Sequence, residues 1–308
     1  MASANCLSPK VIILSKSWAQ RQDFLDCFYE IWQAMQLPVA YYPGAQDRWE
    51  AFQKAYPSAK VVDSKTGRGV KERQLSAPML GSKGPILLPL LAIELEVDLS
   101  TEQGQNNAKY EYAFLNEPFA PVVTFATIDD ENKSTSKEGP GYFLDNAVDL
   151  CNNYVFGSLS CSMTAPSTID SDLVEKAIAG LHYGSICVNI WTVAGYFYGW
   201  GGFPGEKLDA IESGNGVINN YLFLPHFEKC VVRSPFGVES PFKQSDDYER
   251  KTRECEATAN FVLVPGLKTF ANMMMAIFDI TPAKVLASAS VGAVAVGIAA
   301  QVLLSRSR

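Results

Sequence analysis

The clearest periodicity in the chain lies between Trp18 and Met35. Phe24, Leu25, Phe28, Ile31, Trp32 and Met35 recur at steps of three and four with charges on the other side, which predicts an amphipathic helix that Pro38 ends. Ahead of it, Val11-Ile12-Ile13-Leu14 is an apolar run of strand length. Ala40 to Lys83 is mixed and polar, with one apolar pair, Val61-Val62, and its run from Asp63 to Lys71 predicts a solvated loop. Ala92 to Val97 then alternates apolar and acidic residues in its second half, as a half-buried strand does, and Asn106 to Lys109 reads as a loop.

Leu115 to Phe125 follows as Leu-Asn-Glu-Pro-Phe-Ala-Pro-Val-Val-Thr-Phe, where Pro118 and Pro121 fix a rigid turn and Val122 to Phe125 enters a sheet. Beyond a second polar loop, Asp129 to Gly141, the pattern predicts a helix over Phe143 to Asn152 and a strand within Gly157 to Met163. A helix over Ile169 to Leu181 and a strand at Gly184 to Asn189 complete the series. Asp170, Asp172 and Glu175 suit the first turns of that last helix, where the backbone dipole favours negative charge. Strands alternating with helices at this spacing predict an α/β fold: a largely parallel twisted sheet with helices on both faces.

The texture then changes. Tyr196 to Gly205 interleaves aromatic residues with glycines, and Gly216 to Phe236 reads as two extended segments broken at Pro225, an edge ribbon suited to a partner chain. Leu267, Phe270, Met274, Ile277 and Phe278 line one helix face opposite Lys268 and Asn272, as in an interfacial helix or a core one. From Val285 to Leu304 twenty residues carry no charge, between Lys284 and Arg306. A helix of that length spans about 30 Å, a hydrocarbon core. The chain thus divides into 1–236, a linker with a possible interfacial helix over 237–283, and a candidate transmembrane tail at 284–308. Such a tail anchors the globular part to a membrane, the alternative being a buried terminal helix.

Composition narrows the function. A net charge of −7 without clustered Lys and Arg argues against a nucleic-acid surface. The seven cysteines are scattered without a CxxC pair, and His182 and His226 are the two histidines, so we expect no metal site and a reducing compartment: cytosol, or organelle stroma or matrix.

Two positions carry candidate chemistry. Cys6 sits on a small-residue polar loop just before an apolar strand, where a thiol can be held rigidly and still be reached; the competing reading is a small packing residue. Glu117, pinned between prolines and strand, is placed to accept hydrogen bonds from the sugar hydroxyls of a nucleotide, or else is a solvated turn carboxylate.

The order of motifs from Ala2 to about Phe236 resembles the carboxy-terminal, catalytic half of the NAD(P)-dependent aldehyde dehydrogenase superfamily. Cys6 stands where that family keeps its nucleophile, and Glu117-Pro118-Phe119-Ala120-Pro121-Val122 resembles its Glu-x-Phe-Gly-Pro-Val cofactor segment. Phe156 to Ser162, Gly184 to Asn189 and Trp200-Gly201-Gly202-Phe203 are similar to its Tyr-Gly-Leu strand, Gly-x-Val-x-Val-Asn strand and Phe-Gly-Gly loop. The resemblance implies Cys6 as the nucleophile toward a small-molecule aldehyde, Glu117 on the nicotinamide ribose, Phe119 near the nicotinamide, and NAD or NADP as hydride acceptor. Departures are Ser3, Ala4 and Asn5 where the family has Gly-Gln-x before the cysteine, Ala120 for a glycine and Gly199 for a proline.

The family's nucleotide-binding domain, its activating glutamate and its oxyanion asparagine precede the cysteine. The resemblance therefore implies half a cofactor site, completed by a separate nucleotide-binding chain, with a second copy through 216–236 as the other expected partner. Two alternatives stand beside it: a non-catalytic, membrane-tethered assembly module, and a cysteine acyltransferase or esterase pairing Cys6 with His182 or His226.

Overall fold

Four strands build the larger sheet: β1 (Val11–Ser15), β2 (Lys60–Val62), β3 (Leu90–Val97) and β4 (Val122–Ile128), in the order β1-β4-β3-β2. The computed structural model describes residues 5–35, 40, 42–65, 87–130, 139–197, 229–237 and 248–277. β4 pairs in parallel with β1 and β3, and β2 runs antiparallel along the outer edge of β3. All of β4 is buried, as a central strand covered on both faces must be, which is why it reads as an unbroken apolar run with two threonines.

Successive side chains of a strand point to opposite faces, and the core divides accordingly. On one face Val123 and Phe125 meet α1 (Arg21–Ala34) through Phe24, Leu25, Phe28 and Tyr29. Phe28 sets its ring edge-on to Phe125 with centroids 5.2 Å apart. Ile31, expected on this buried stripe, is 57% exposed. At 100° per residue it lies about a quarter turn from the centre of the stripe that Phe24, Leu25, Phe28, Tyr29 and Trp32 form.

On the opposite face Val122, Leu91 and Ile93 pack against α2 (Ala45–Ala55) through Ala45, Trp49 and Phe52. Farther along that face Ala126 and Ile128 meet Ala108 of α3 (Glu102–Lys109), Phe114 of α4 (Tyr112–Leu115) and Leu150 of α5 (Gly139–Asn153).

The expected loop at Asn106 to Lys109 is instead the end of α3. Thr101 caps that helix by accepting from the Gly104 amide, a bond that offsets the poor helix propensity of its glycine and amide residues. α2 likewise lies in a stretch expected to be irregular, whereas the run from Asp63 onward is irregular through residue 65 and lies beyond that outside the described residues.

A second, three-stranded sheet corrects the expectation of one continuous sheet. β5 (Ser160–Met163), β6 (Ser185–Val188) and β7 (Cys230–Arg233) are parallel neighbours in that order, with no ladder to the first sheet among the described residues. α6 (Ser171–Gly180) covers it with Val174 and Ile178, and Asp170 caps that helix by accepting from the Asp172 amide. α5 bridges the two sheets, since Leu150 and Ala147 join the first core and Val148 and Cys151 the second. On the other side α7 (Val193–Phe197) presses so close that a Cβ on Gly195 would fall 2.0 Å from Ser185 Oγ.

β7 is the described part of the expected 216–236 ribbon, an edge strand in parallel pairing with β6; residues 198–228, with the aromatic-glycine loop and His226, lie outside the described residues.

The chain splits into two units, Met1–Phe242 and Lys243–Arg308. The second holds α8 (Tyr248–Leu263) and α9 (Leu267–Ile277), packed on each other. α8 occupies what was expected to be linker, and α9 the expected interfacial helix. The expected transmembrane tail lies outside the described residues, and among the described ones no helix is long and apolar enough to cross a membrane.

Candidate active site

The loop before β1 is built around Asn5. Its Oδ1 accepts from the Leu7 amide at 2.7 Å and its carbonyl from the Ser8 amide at 3.0 Å, closing a turn over residues 5 to 8. Leu7 tucks inward at 8% exposure, and Trp191 Nε1 donates to its carbonyl at 3.4 Å. Cys6 is left exposed at the turn's crest. Its amide hydrogen donates to no acceptor among the described residues.

The loop before β4 is held by Arg48 of α2. Its Nε donates to the Pro118 carbonyl at 2.7 Å, and Nη2 to the carbonyls of Pro43 at 3.1 Å and Phe119 at 3.4 Å. Phe119 adopts φ +40°, a left-handed conformation uncommon outside glycine, and stacks its ring on Tyr42 with centroids 5.1 Å apart. Pro118 and Ala120 are buried and Glu117 is exposed.

Parallel pairing of β1 with β4 brings these two loops to the same end of the sheet. Together they line a cleft made by Asn5, Cys6, Lys10, Glu117, Phe119 and neighbouring residues, enclosing about 30 Å³. That is room for a water molecule or two. The cleft lies at the amino-terminal ends of the strands, opposite the usual ligand crevice of doubly wound sheets.

Lys10 is the member that sequence reading missed. Its Nζ donates to the Phe156 carbonyl at 3.2 Å and lies 5.6 Å from the centre of the Phe156 ring. Burial lowers its ammonium to about 8, against the pull of the Glu117 carboxylate in the other direction. A lysine directly before an apolar strand and four residues from a cysteine was the available signal.

Of the expected site residues, Cys6, Glu117 and Phe119 share the cleft. His182 does not line it: that histidine is exposed on the turn after α6, its amide donating to Asn152 Oδ1. Asn189, from the Gly-x-Val-x-Val-Asn stretch, has a structural task. With φ +59° it clasps Ala165, accepting from its amide at 2.8 Å and donating to its carbonyl at 2.9 Å. Among the other thiols, Cys151 is raised by a hydrogen bond with Cys161 and by burial, and Cys187 and Cys230 are raised by burial. Cys27 and Cys255 are exposed but do not line the cleft. Among the described residues no cluster of three His, Cys, Asp or Glu could hold a metal ion.

No protein-family model matches the chain, and no curated protein matches it. Solved structures that it resembles include glyceraldehyde-3-phosphate dehydrogenase GapN from Methanocaldococcus jannaschii, complexed with NADP, at 12% identity and TM-score 0.38, over 61% of this chain and 33% of that one. An oxidoreductase from Marinobacter aquaeolei is similar at 15% identity and TM-score 0.41, over 70% of this chain and 36% of that one. The chain spans about a third of the length of each.

Proposed function

We propose that this chain is an aldehyde dehydrogenase-like oxidoreductase portion in which Cys6 adds to an aldehyde. The observation that supports the reading is the meeting of Cys6, Glu117 and Phe119 on one cleft, although they come from loops more than a hundred residues apart in sequence. In the addition the Cys6 thiolate attacks the carbonyl carbon, a C–S bond forms, and the carbonyl π pair moves to oxygen. The Cys6 amide hydrogen and the Lys10 ammonium are the donors at hand for that oxyanion.

The described residues fit a nicotinamide cofactor poorly. Glu117 is an exposed carboxylate able to accept from ribose hydroxyls, but one face of Phe119, the aromatic residue expected near the nicotinamide, is already taken by Tyr42. We therefore assign the carbonyl addition to this chain and no hydride step. An aldehyde-directed or iodoacetamide probe should label Cys6 faster than Cys27 and Cys255, the two other exposed thiols. Equal rates would remove the reading. Saturating NAD or NADP should leave the melting temperature unchanged if the cofactor half lies elsewhere.

A membrane tether is a second, compatible reading. Val262, Leu263, Val264 and Leu267 at the α8–α9 bend are 71%, 78%, 67% and 90% exposed, in the same unit as the uncharged stretch 285–304.

A further inference from the structure

We propose that Lys10 is an acylation site loaded through Cys6, the donor being a small thioester of the acyl-coenzyme A class. The proposal shares the Cys6 nucleophile with the function above but needs neither aldehyde nor nicotinamide.

The geometry is that of two nucleophiles bordering one space. The turn over residues 5 to 8 folds the chain back so that Cys6 and Lys10, four positions apart, both line the same cavity of about 30 Å³. Cys6 is exposed to an incoming donor. The cleft is small and open to solvent, so a short acyl group such as acetyl can enter it from outside.

In the first step the Cys6 thiolate attacks the donor carbonyl. A C–S bond to Cys6 forms, the donor's C–S bond breaks, and the donor thiol departs with a proton. In the second step the neutral Lys10 amine attacks the acyl carbon. A C–N bond forms, the Cys6 C–S bond breaks, Cys6 leaves as thiolate, and the proton from nitrogen passes to solvent. No electrons are exchanged with an outside partner.

Lys10 is the described lysine that lines the cleft with Cys6. Lys16 is paired with Asp129 and Lys176 with Asp145, and Lys229 donates to three backbone carbonyls. Lys10 donates to one neutral carbonyl, a contact that an uncharged amine keeps. Burial also lowers its ammonium to about 8, so a useful fraction is nucleophilic near neutrality. Acylation would then remove the cation that Glu117 faces.

The test treats the full chain with acetyl-coenzyme A and maps acetyl groups by peptide mass spectrometry. Lys10 should be acetylated on the order of tenfold above the other lysines, the advantage expected of a modestly oriented intramolecular transfer. C6S, or wild-type protein whose Cys6 has first been alkylated in the folded state, should lose that excess. K10R should accumulate a hydroxylamine-labile acetyl group on Cys6. Excess acetylation that survives both Cys6 treatments, or an acetyl group that stays on Cys6 with Lys10 unmodified, would overturn the proposal. Aldehyde labelling of Cys6 is read separately, so either idea can fail alone.

Discussion

Val11 stands opposite Thr124 in the parallel pairing of β1 with β4. Because the two strands run the same way, the segments entering them arrive at one end of the sheet, and Cys6 and Glu117 come to line a common cleft. The register between the edge strand β1 and the buried strand β4 thus does what no local motif does: it joins the start of the chain to a turn more than a third of the way along it.

Arg48 should be the main brace of the Glu117 side of that cleft. Three backbone carbonyls, of Pro43, Pro118 and Phe119, accept from its guanidinium. Arg48→Met keeps the aliphatic stem and removes these bonds. We expect a loss of about 1.5–3 kcal/mol in urea unfolding, the usual size for charge-assisted hydrogen bonds. Limited proteolysis should also cut earlier at residues 116–120, and an unchanged midpoint would refute the brace.

Asn189 separates a backbone effect from a side-chain one. Its φ of +59° and its paired bonds to Ala165 both bear on the stretch that follows β6. Asn189→Gly removes the bonds and tolerates the dihedral, and should cost about 1–2 kcal/mol. Asn189→Ala adds the left-handed penalty, a further ~1 kcal/mol. Equal midpoints for the two variants in urea unfolding would show that the dihedral carries no strain.

Legibility in the sequence followed chain-local physics. β1 and β4 are apolar runs, and α1, α5 and α6 carry clean periodicities, so each was readable. α2 was missed although Ala45, Trp49 and Phe52 sit at helical spacing, because polar neighbours and flanking prolines masked them. α3 was missed because Gly104 and its amide-rich neighbours are weak helix formers, and its support is the Thr101 cap and the burial of Ala108.

That β5 would pair with β6 in a sheet of its own depends on which strands meet, and periodicity does not encode that choice. The cleft itself was half readable. Cys6 and Glu117 stood out by position and Phe119 through the family resemblance, whereas Lys10 gains its character from Phe156 and Glu117, neighbours that only the fold supplies.

Removing residues 285–308 tests the tether. The truncated chain keeps every described residue, and it should move from the membrane pellet after carbonate washing to the supernatant. Substituting Leu263 and Leu267 with serine in the full-length chain should weaken membrane recovery further if the α8–α9 bend also contacts lipid; each side chain contributes up to about 1.5–3 kcal/mol of apolar burial. Full-length protein extracted by carbonate would end the tether reading.

Lys10 should leave a distinct mark on stability against pH. Its ammonium loses its proton at about 8 in the folded chain and at 10.5 in the unfolded one. Between these values the unfolded chain binds more protons, so stability rises with pH; the penalty of holding a buried ammonium is complete below about pH 8 and fades above it. Tyr29 and Tyr56, raised by burial and by hydrogen bonds to Glu94 and Glu111, act in the opposite sense above about 10, the ordinary value for a phenol, because the folded chain then keeps protons that the unfolded chain has lost. Within the window from about 8 to 10 the raised thiols of Cys151, Cys187 and Cys230 also oppose Lys10, so the Lys10 contribution is read as the difference between wild type and a Lys10 variant, in which the thiols cancel. Lys10→Met should be more stable than wild type at pH 7, and urea midpoints of the two should converge as pH rises across that window. A difference that stays constant with pH would mean that the Lys10 ammonium is as well solvated in the cleft as in the unfolded chain.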